Sequence, residues 1–308
     1  MADTYRAVVF SEYGDPDVLR IVERDAPRPG PGEVRIAVRA AGVNPIDWKV
    51  RSGVMPLVPA GGFPSVPGVD VAGVVEEVGE GVTEYAVGDE VLGAASSGSY
   101  AEVAVAPVEK ITAKPSEVSW EVAGGLSVAA TTTYRVFALL DLTPGETVLI
   151  DGAAGGVGTV AVQVARHRGL TVIGTASERN HDYLRSLGAI PVTYGDGLAD
   201  RVRAVAPQGV DAAVDASGRG SLATLVDLTG GPERVVTIAD GAAADLGVRF
   251  TFGGPDEVPG SLADAVALVA TGKLILPIAR TYSLAEAASA HWDSEAGHVQ
   301  GKLVLLTS

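Results

Sequence analysis

Apolar and polar positions along the chain fall into two regimes. Before about residue 118 they alternate in short runs: residues 5–10 and 34–40 read as strands, the second alternating as a half-exposed strand does. More short strands are expected at 69–78, 89–93 and 100–106, separated by glycine and proline, and Pro27, Pro29, Gly30, Pro31 and Gly32 mark a turn-rich connection. This predicts an all-β first domain. A helical pattern opens near Ser119, runs through Thr131-Thr132-Thr133 toward Leu140, and is followed by the turn Thr143-Pro144-Gly145-Glu146. The regime then changes. The run Thr147-Val148-Leu149-Ile150 reads as a buried parallel strand, and after a glycine turn Val157, Val160, Ala161, Val164 and Ala165 recur at helical spacing. Strands near 171–175, 191–194, 211–215, 234–239 and 248–252, with helices between them, bring the count to the six of a doubly wound parallel sheet. A helix near 260–270, then Gly272, Pro277 and a last strand at 302–306, form a tail with no core of its own, which returns to complete one of two domains.

The glycine turn is spaced Gly152-x-x-Gly155-x-x-Gly158, with Ala153 where the commonest form of the dinucleotide fingerprint has its first glycine. Strand, glycine turn and helix suit a pyrophosphate: the backbone passes close to the phosphates, and the helix aims unpaired N–H groups at them. In a chain with 39 glycines the same string could be a plain turn, and the alternation of strands and helices after it is what favours the nucleotide reading. An acid about 20 residues past such a turn selects NAD by holding the ribose hydroxyls. Here the count lands on Thr175-Ala176-Ser177, without an acid; the Ser177 hydroxyl and the Arg179 guanidinium suit a 2′-phosphate instead. Arg179 could also merely start a solvated helix, and a longer strand would make Glu178 the ribose acid and turn the preference to NAD.

Composition narrows the class. At 308 residues, 47% hydrophobic and 20% charged, the chain has room for two folded domains. No apolar run approaches the roughly 18 to 20 residues that span a bilayer, and no cationic start with an apolar segment opens the chain, so a cytoplasmic protein without a membrane partner is expected. A net charge of -15 argues against nucleic acid as a partner. The absence of cysteine excludes disulfides, thiolate nucleophiles and thiolate metal sites.

Ordered motifs in the first half carry a second signal. Pro29-Gly30-Pro31-Gly32-Glu33-Val34, the stretch from Ala41-Gly42-Val43-Asn44-Pro45 to Lys49, Pro64-Ser65-Val66-Pro67-Gly68-Val69-Asp70, Gly88-Asp89-Glu90-Val91, the glycine turn and Gly301-Lys302-Leu303-Val304-Leu305 together resemble the medium-chain dehydrogenase/reductase superfamily, most closely its zinc-free quinone oxidoreductase branch. The resemblance implies an α/β chain with a GroES-like β-barrel catalytic domain at 1–118 and 272–308, and a Rossmann NADP-binding domain with a six-stranded parallel sheet at 119–271. It further implies a homodimer. Zinc-dependent relatives would carry a cysteine near Asn44 and a histidine near Val69. Neither is present, and His167, His181, His291 and His298 fall far from those motifs, as surface or capping residues, so no metal is expected.

The resemblance also implies site residues. Asn44 corresponds to the family residue near the nicotinamide ribose, Thr131 lies in a helix beside the same place, and Tyr194 follows the next strand where relatives place a side chain near the adenine ribose phosphate. Val157, Ile238, Phe252 and Gly253 would wall the cofactor, though each could as well be plain core, and Gly156 of the glycine turn and Lys302 of the closing motif join the cofactor set. Asp47 reads as a residue orienting its loop by hydrogen bonds or as a proton carrier, and Lys49 as a proton donor or an exposed lysine. Many quinone and enoyl-thioester reductases of the superfamily carry Gly-x-Tyr-Pro where this chain has Gly53-Val54-Met55-Pro56, so Met55 is expected to line the substrate pocket without donating a proton. The substrate would be set by variable loops around 53–63 and 240–260. The expected activity is NADPH-dependent, metal-free hydride transfer to quinones or α,β-unsaturated carbonyls. Enoyl-thioester reduction, or a low-turnover cofactor-binding or structural role, are the alternatives.

Overall fold

The structure is a computed structural model that describes residues 4–55 and 62–307. Pro56 of the Gly53–Pro56 motif, and residues 56–61 of the expected substrate loop, lie outside the described residues. In chain order the first elements are β1 (Thr4–Val9), β2 (Arg20–Asp25), β3 (Glu33–Val43), α1 (Pro45–Arg51), β4 (Asp70–Val78), β5 (Glu90–Ala94), β6 (Val103–Pro107) and β7 (Ile111–Ala113). After α2 (Trp120–Leu139) come β8 (Thr147–Asp151), α3 (Gly156–His167), β9 (Thr171–Thr175), α4 (His181–Ser186), β10 (Ile190–Val192), α5 (Leu198–Val205), β11 (Ala212–Asp215), α6 (Leu222–Thr229), β12 (Val235–Thr237) and β13 (Arg249–Phe250). The chain closes with α7 (Ser261–Ala270), β14 (Ile278–Ser283), α8 (Ala287–Ala296) and β15 (Lys302–Leu306).

Two compact units result, one of Met1–Val128, Leu262–Thr271 and Leu276–Ser308, the other of Ala129–Ser261 and Gly272–Ile275. The units therefore divide inside α2, at 128/129 where 118/119 was expected, and again at 261/262, 271/272 and 275/276, the expected 271/272 among them. Packing explains the shift of the first boundary. A Cβ on Gly124 would come 2.6 Å from the Ala40 Cβ, and the Val128 N–H donates to the Asp70 carboxylate at 2.6 Å, so the first half of α2 belongs with β3 and β4.

The first unit holds a seven-stranded sheet in the order β14-β15-β3-β4-β5-β7, with β6 paired to β3. β3 is its hub: Val34, Ile36, Val38 and Ala40 alternate into the core, and the strand pairs antiparallel with β4, β6 and β15. β15 thus returns from the far end of the chain to the middle of this sheet. β1 and β2 form a separate antiparallel pair, tied on by an Ala7 to Ala101 bridge. β2, β7 and β14 were not expected from the sequence: β2 and β14 are largely exposed, so their apolar positions mark no buried face, and β7 is three residues long.

The second unit is a six-stranded sheet in the order β10-β9-β8-β11-β12-β13, parallel at every pairing. This is the doubly wound Rossmann order, with its switch point between β8 and β11. All five residues of β8 are buried, and Val160, Ala161, Val164 and Ala165 of α3 are at most 1% exposed. At roughly 25 cal/mol per Å² of apolar surface, that shared burial is the main force holding strand, turn and helix together. Among the described residues no helix is long and apolar enough to cross a membrane.

Candidate functional site

In the second unit the site is built at the carboxyl ends of the central strands. Gly152 leaves β8 with φ of +82°, a conformation that favours glycine, and Gly158 packs so close to the turn that a Cβ there would lie 2.3 Å from the Gly152 carbonyl oxygen. Gly155 is the N-cap of α3, and a Cβ on it would meet nothing nearer than 3.4 Å. The turn is thus tight on its protein side and open at the helix N-terminus, which fits a dinucleotide pyrophosphate approaching the backbone of Gly155, Gly156 and Val157.

A belt of buried polar groups braces this turn. The Gly152 N–H donates to the Thr175 hydroxyl at 3.0 Å, and that hydroxyl donates to Asp151. Asp151 also accepts from the Ser217 hydroxyl, and from that of Ser221 at 2.6 Å. Across the switch point, Asp215 accepts from the N–H groups of Ser217 and Gly218, each at 2.9 Å, and from the Thr237 hydroxyl at 2.7 Å. Asp151 is 2% exposed and Asp215 is fully buried, so their charges rest on these donors. Neither aspartate was picked out from the sequence. The available signal was an acid ending two otherwise apolar strands, Val148-Leu149-Ile150-Asp151 and Ala212-Ala213-Val214-Asp215. Asp151→Asn replaces one acceptor oxygen by a donor, so the Thr175 side or the serine side must lose its partner. A stability loss of about 1.5–3 kcal/mol is expected, read by urea unfolding of the variant beside the parent; a loss under about 0.5 kcal/mol would mean that the belt does not brace the turn.

The residues expected beside the adenine ribose follow the ends of the neighbouring strands. β9 ends at Thr175, and Glu178 opens a short 3-10 helix rather than lengthening the strand. Thr175 and Val192 are register partners, so Ser177 and Tyr194 each lie two residues beyond neighbouring strand ends. Ser177 is half-buried, Arg179 exposed and Tyr194 43% exposed. Thr131 and Ile238 are half-buried, Phe252 is 65% exposed, and Gly253 has φ of +123°.

In the first unit Asn44 and Asp47 meet in a buried network. Pro45 starts α1, and Asp47, three residues after the N-cap Asn44, accepts the Asn44 N–H at 2.8 Å. What was expected to be a loop is therefore a short helix, and Asp47 braces its start. The Asn44 side chain is held at both ends: its amide donates to Asp70 Oδ2 at 3.0 Å, and its oxygen accepts from Lys302 Nζ at 2.5 Å. Lys302 Nζ also pairs with Asp70 at 3.1 Å. Lys302 had been expected among the cofactor-binding residues. It is 4% exposed with its ammonium enclosed by Asn44 and Asp70, so its contacts are those of a residue holding Asn44.

Tyr100 donates to Asp47 Oδ2 at 3.0 Å, and its oxygen lies 3.3 Å from His291 Nε2. Burial pushes the Asp47 carboxyl up to about 7; the Asn44 N–H opposes the rise and the Asp70 charge adds to it. Burial, with Asp47 beside it, holds the Tyr100 hydroxyl well above its ordinary range. His291 is fully buried, which corrects its assignment to the surface: Ala287, Ala290 and His291 form the inward stripe of α8. Burial and then the Arg51 charge bring its pKa down to about 3, so the ring is neutral. The Met55 N–H donates to the Lys49 carbonyl at 2.9 Å, and Lys49 Nζ sits 5.9 Å from the Trp48 ring centroid.

A GroES-like unit carrying Asn44 and a Rossmann unit carrying the glycine turn define the dehydrogenase/reductase class. Residues 30–116 match the family model of the alcohol dehydrogenase GroES-like domain, and residues 187–305 that of a zinc-binding dehydrogenase. The quinone oxidoreductase of Pseudomonas aeruginosa is 33% identical over 98% of this chain and 99% of its own length. The synaptic vesicle membrane protein VAT-1 homolog of Rattus norvegicus is 36% identical over 77% of this chain, a match that spans 59% of that relative's length. The crystal structure of Escherichia coli quinone oxidoreductase complexed with NADPH superposes with a TM-score of 0.87 at 26% identity, covering 99% of this chain and 100% of that one. The chain belongs to the quinone oxidoreductase-like family of medium-chain dehydrogenases/reductases. The zinc of the second family model's description does not fit the residues present. The chain has no cysteine, and among the described residues no group of three or more His, Asp or Glu is arranged to hold a metal ion.

Proposed function

We propose that this protein takes hydride from NADPH and delivers it, without a metal, to quinones or α,β-unsaturated carbonyls. The observation that carries the reading is the braced turn at Gly152–Gly158, open at the N-terminus of α3, in a chain similar along its whole length to an NADPH-complexed quinone oxidoreductase. NADPH bound there would supply the hydride. The residues Gly155, Gly156 and Val157 would take the pyrophosphate, Ser177, Arg179 and Tyr194 the 2′-phosphate, and Thr131, Ile238, Phe252 and Gly253 would wall the nicotinamide half. Asn44, locked by Asp70 and Lys302, would hold the nicotinamide ribose. Quinones and enones suit this set because their oxygens spread the incoming charge, so the residues need supply no strong Lewis acid.

NADPH and NADH oxidation by chelator-treated protein, against a panel of quinones, enones and enoyl thioesters, tests the reading. Turnover of quinones or enones is expected. Thioester preference would favour an enoyl-thioester reductase, and cofactor binding without turnover of any acceptor a binding role. Arg179→Ala tests the phosphate assignment in the same assay. A charge-assisted contact of roughly 1.5–3 kcal/mol corresponds to about ten- to a hundred-fold weaker NADPH binding, with NADH little changed. Equal losses for the two cofactors would refute it.

A further inference from the structure

Five segments far apart in sequence meet around Asp47: the N-cap Asn44 on its own helix, Asp70 on β4, Tyr100 before β6, His291 on α8 and Lys302 on β15. A neutral His291 with its Nε2–H toward Tyr100 leaves the Tyr100 proton to point at Asp47, where the Asn44 N–H already arrives. Both donors end on the same oxygen, Oδ2. Any proton that Asp47 itself carries therefore sits on Oδ1. The remaining charges packed around this cluster are Arg51, fully buried and ion-paired with Glu295 one turn after His291 on α8, and the Asp70–Lys302 pair.

We infer that Asp47 is a positioning residue whose protonation state sets how firmly Asn44 is held, so that cofactor binding and turnover rise together when Asp47 ionises. This rests on the reading of Asn44 as the residue that holds the nicotinamide ribose. Burial places the ionisation near neutrality, where the helix-capping bond from Asn44 changes from neutral to charge-assisted. Two opposing influences meet on the ionised form: Asp70 disfavours it, while Lys302 and the two donors favour it. The capping bond is the element the proton biases, because the Asn44 side chain is already fixed by Asp70 and Lys302 and only its backbone tether answers to Asp47.

The test uses three measurements on the whole protein. First, carbon-13 NMR of the aspartate carboxyls without cofactor should show one group titrating near pH 7, a signal missing in Asp47→Asn. Second, NADPH affinity by fluorescence should strengthen roughly five-fold between pH 6 and 8, the gain expected when a neutral bond becomes charge-assisted. Asp47→Asn, which keeps an acceptor for both donors and mimics the protonated acid, should hold the weaker value at every pH. Third, Tyr100→Phe removes a donor that favours the charge, and should move the midpoint upward. A carboxyl titration confined to the ordinary range near 4, or an unchanged pH profile in Asp47→Asn, would overturn the inference. A normal NMR titration with no turnover of any acceptor would instead sink the proposed function and leave the Asp47 titration standing.

Discussion

Lys302→Met is expected to cost about 3–5 kcal/mol of stability, the scale on which removing one partner of a buried ion pair destabilises a protein. Asp70 is fully buried and Lys302 is 4% exposed, so neither has water to fall back on. The Asp70 carboxylate accepts from the Asn44 amide at 3.0 Å, the Val128 N–H at 2.6 Å and Lys302 Nζ at 3.1 Å, and of these the last brings a full positive charge. Methionine nearly matches the lysine stem in volume, so the loss reports the uncompensated charge rather than a cavity. The double variant Asp70→Asn with Lys302→Met removes that charge too, and should recover a large part of the loss. Urea unfolding of the parent, the single and the double variants decides. A single variant within about 1 kcal/mol of the parent would place this pair with solvent-screened surface pairs, against its burial.

The extent to which fold and site could be read from the sequence follows from the length scale of each signal. β8, the glycine turn and α3 were legible because a continuous apolar run precedes Gly152–Gly158 and an apolar stripe at helical spacing repeats through α3 after it. α1 was not, because its seven residues give a period no room to show, and the Asn44-Pro45 start with Asp47 three residues on was the only trace of it. His291 was hidden for a related reason: the inward stripe of α8 is made of Ala287, Ala290 and the histidine itself, which on sequence reads as a polar, exposed helix. The bonds from Lys302 to Asn44 and Asp70 join residues more than 200 positions apart, and no local pattern announces them. Motif resemblance picked out Asn44 and Lys302, yet the contact between them emerged only from the fold.

Asn44→Ala should lower turnover on the order of a hundred-fold, the cost of misplacing a hydride donor by about 1 Å, while leaving the protein folded. The variant removes one hydrogen bond from each of Lys302 and Asp70 but leaves those two paired with each other at 3.1 Å, so its melting temperature should stay much closer to the parent's than that of Lys302→Met. This separation of rate from stability is what a positioning role for Asn44 requires. Met55, half-buried at the end of the same segment, tests the other side of the reaction. If it only lines an apolar pocket, Met55→Leu should leave quinone turnover nearly unchanged, since the reduced oxygens of a quinone can take protons from water. Met55→Tyr introduces an acid at this position, and should favour enone or thioester reduction, which needs a proton at carbon, over quinone reduction. The deciding quantity is the ratio of enone to quinone activity in Met55→Tyr against the parent. If that ratio does not move, and Asn44→Ala turns over as fast as the parent, then the segment from Asn44 to Met55 is not at the reacting centre, and the hydride acceptor must be held by other residues.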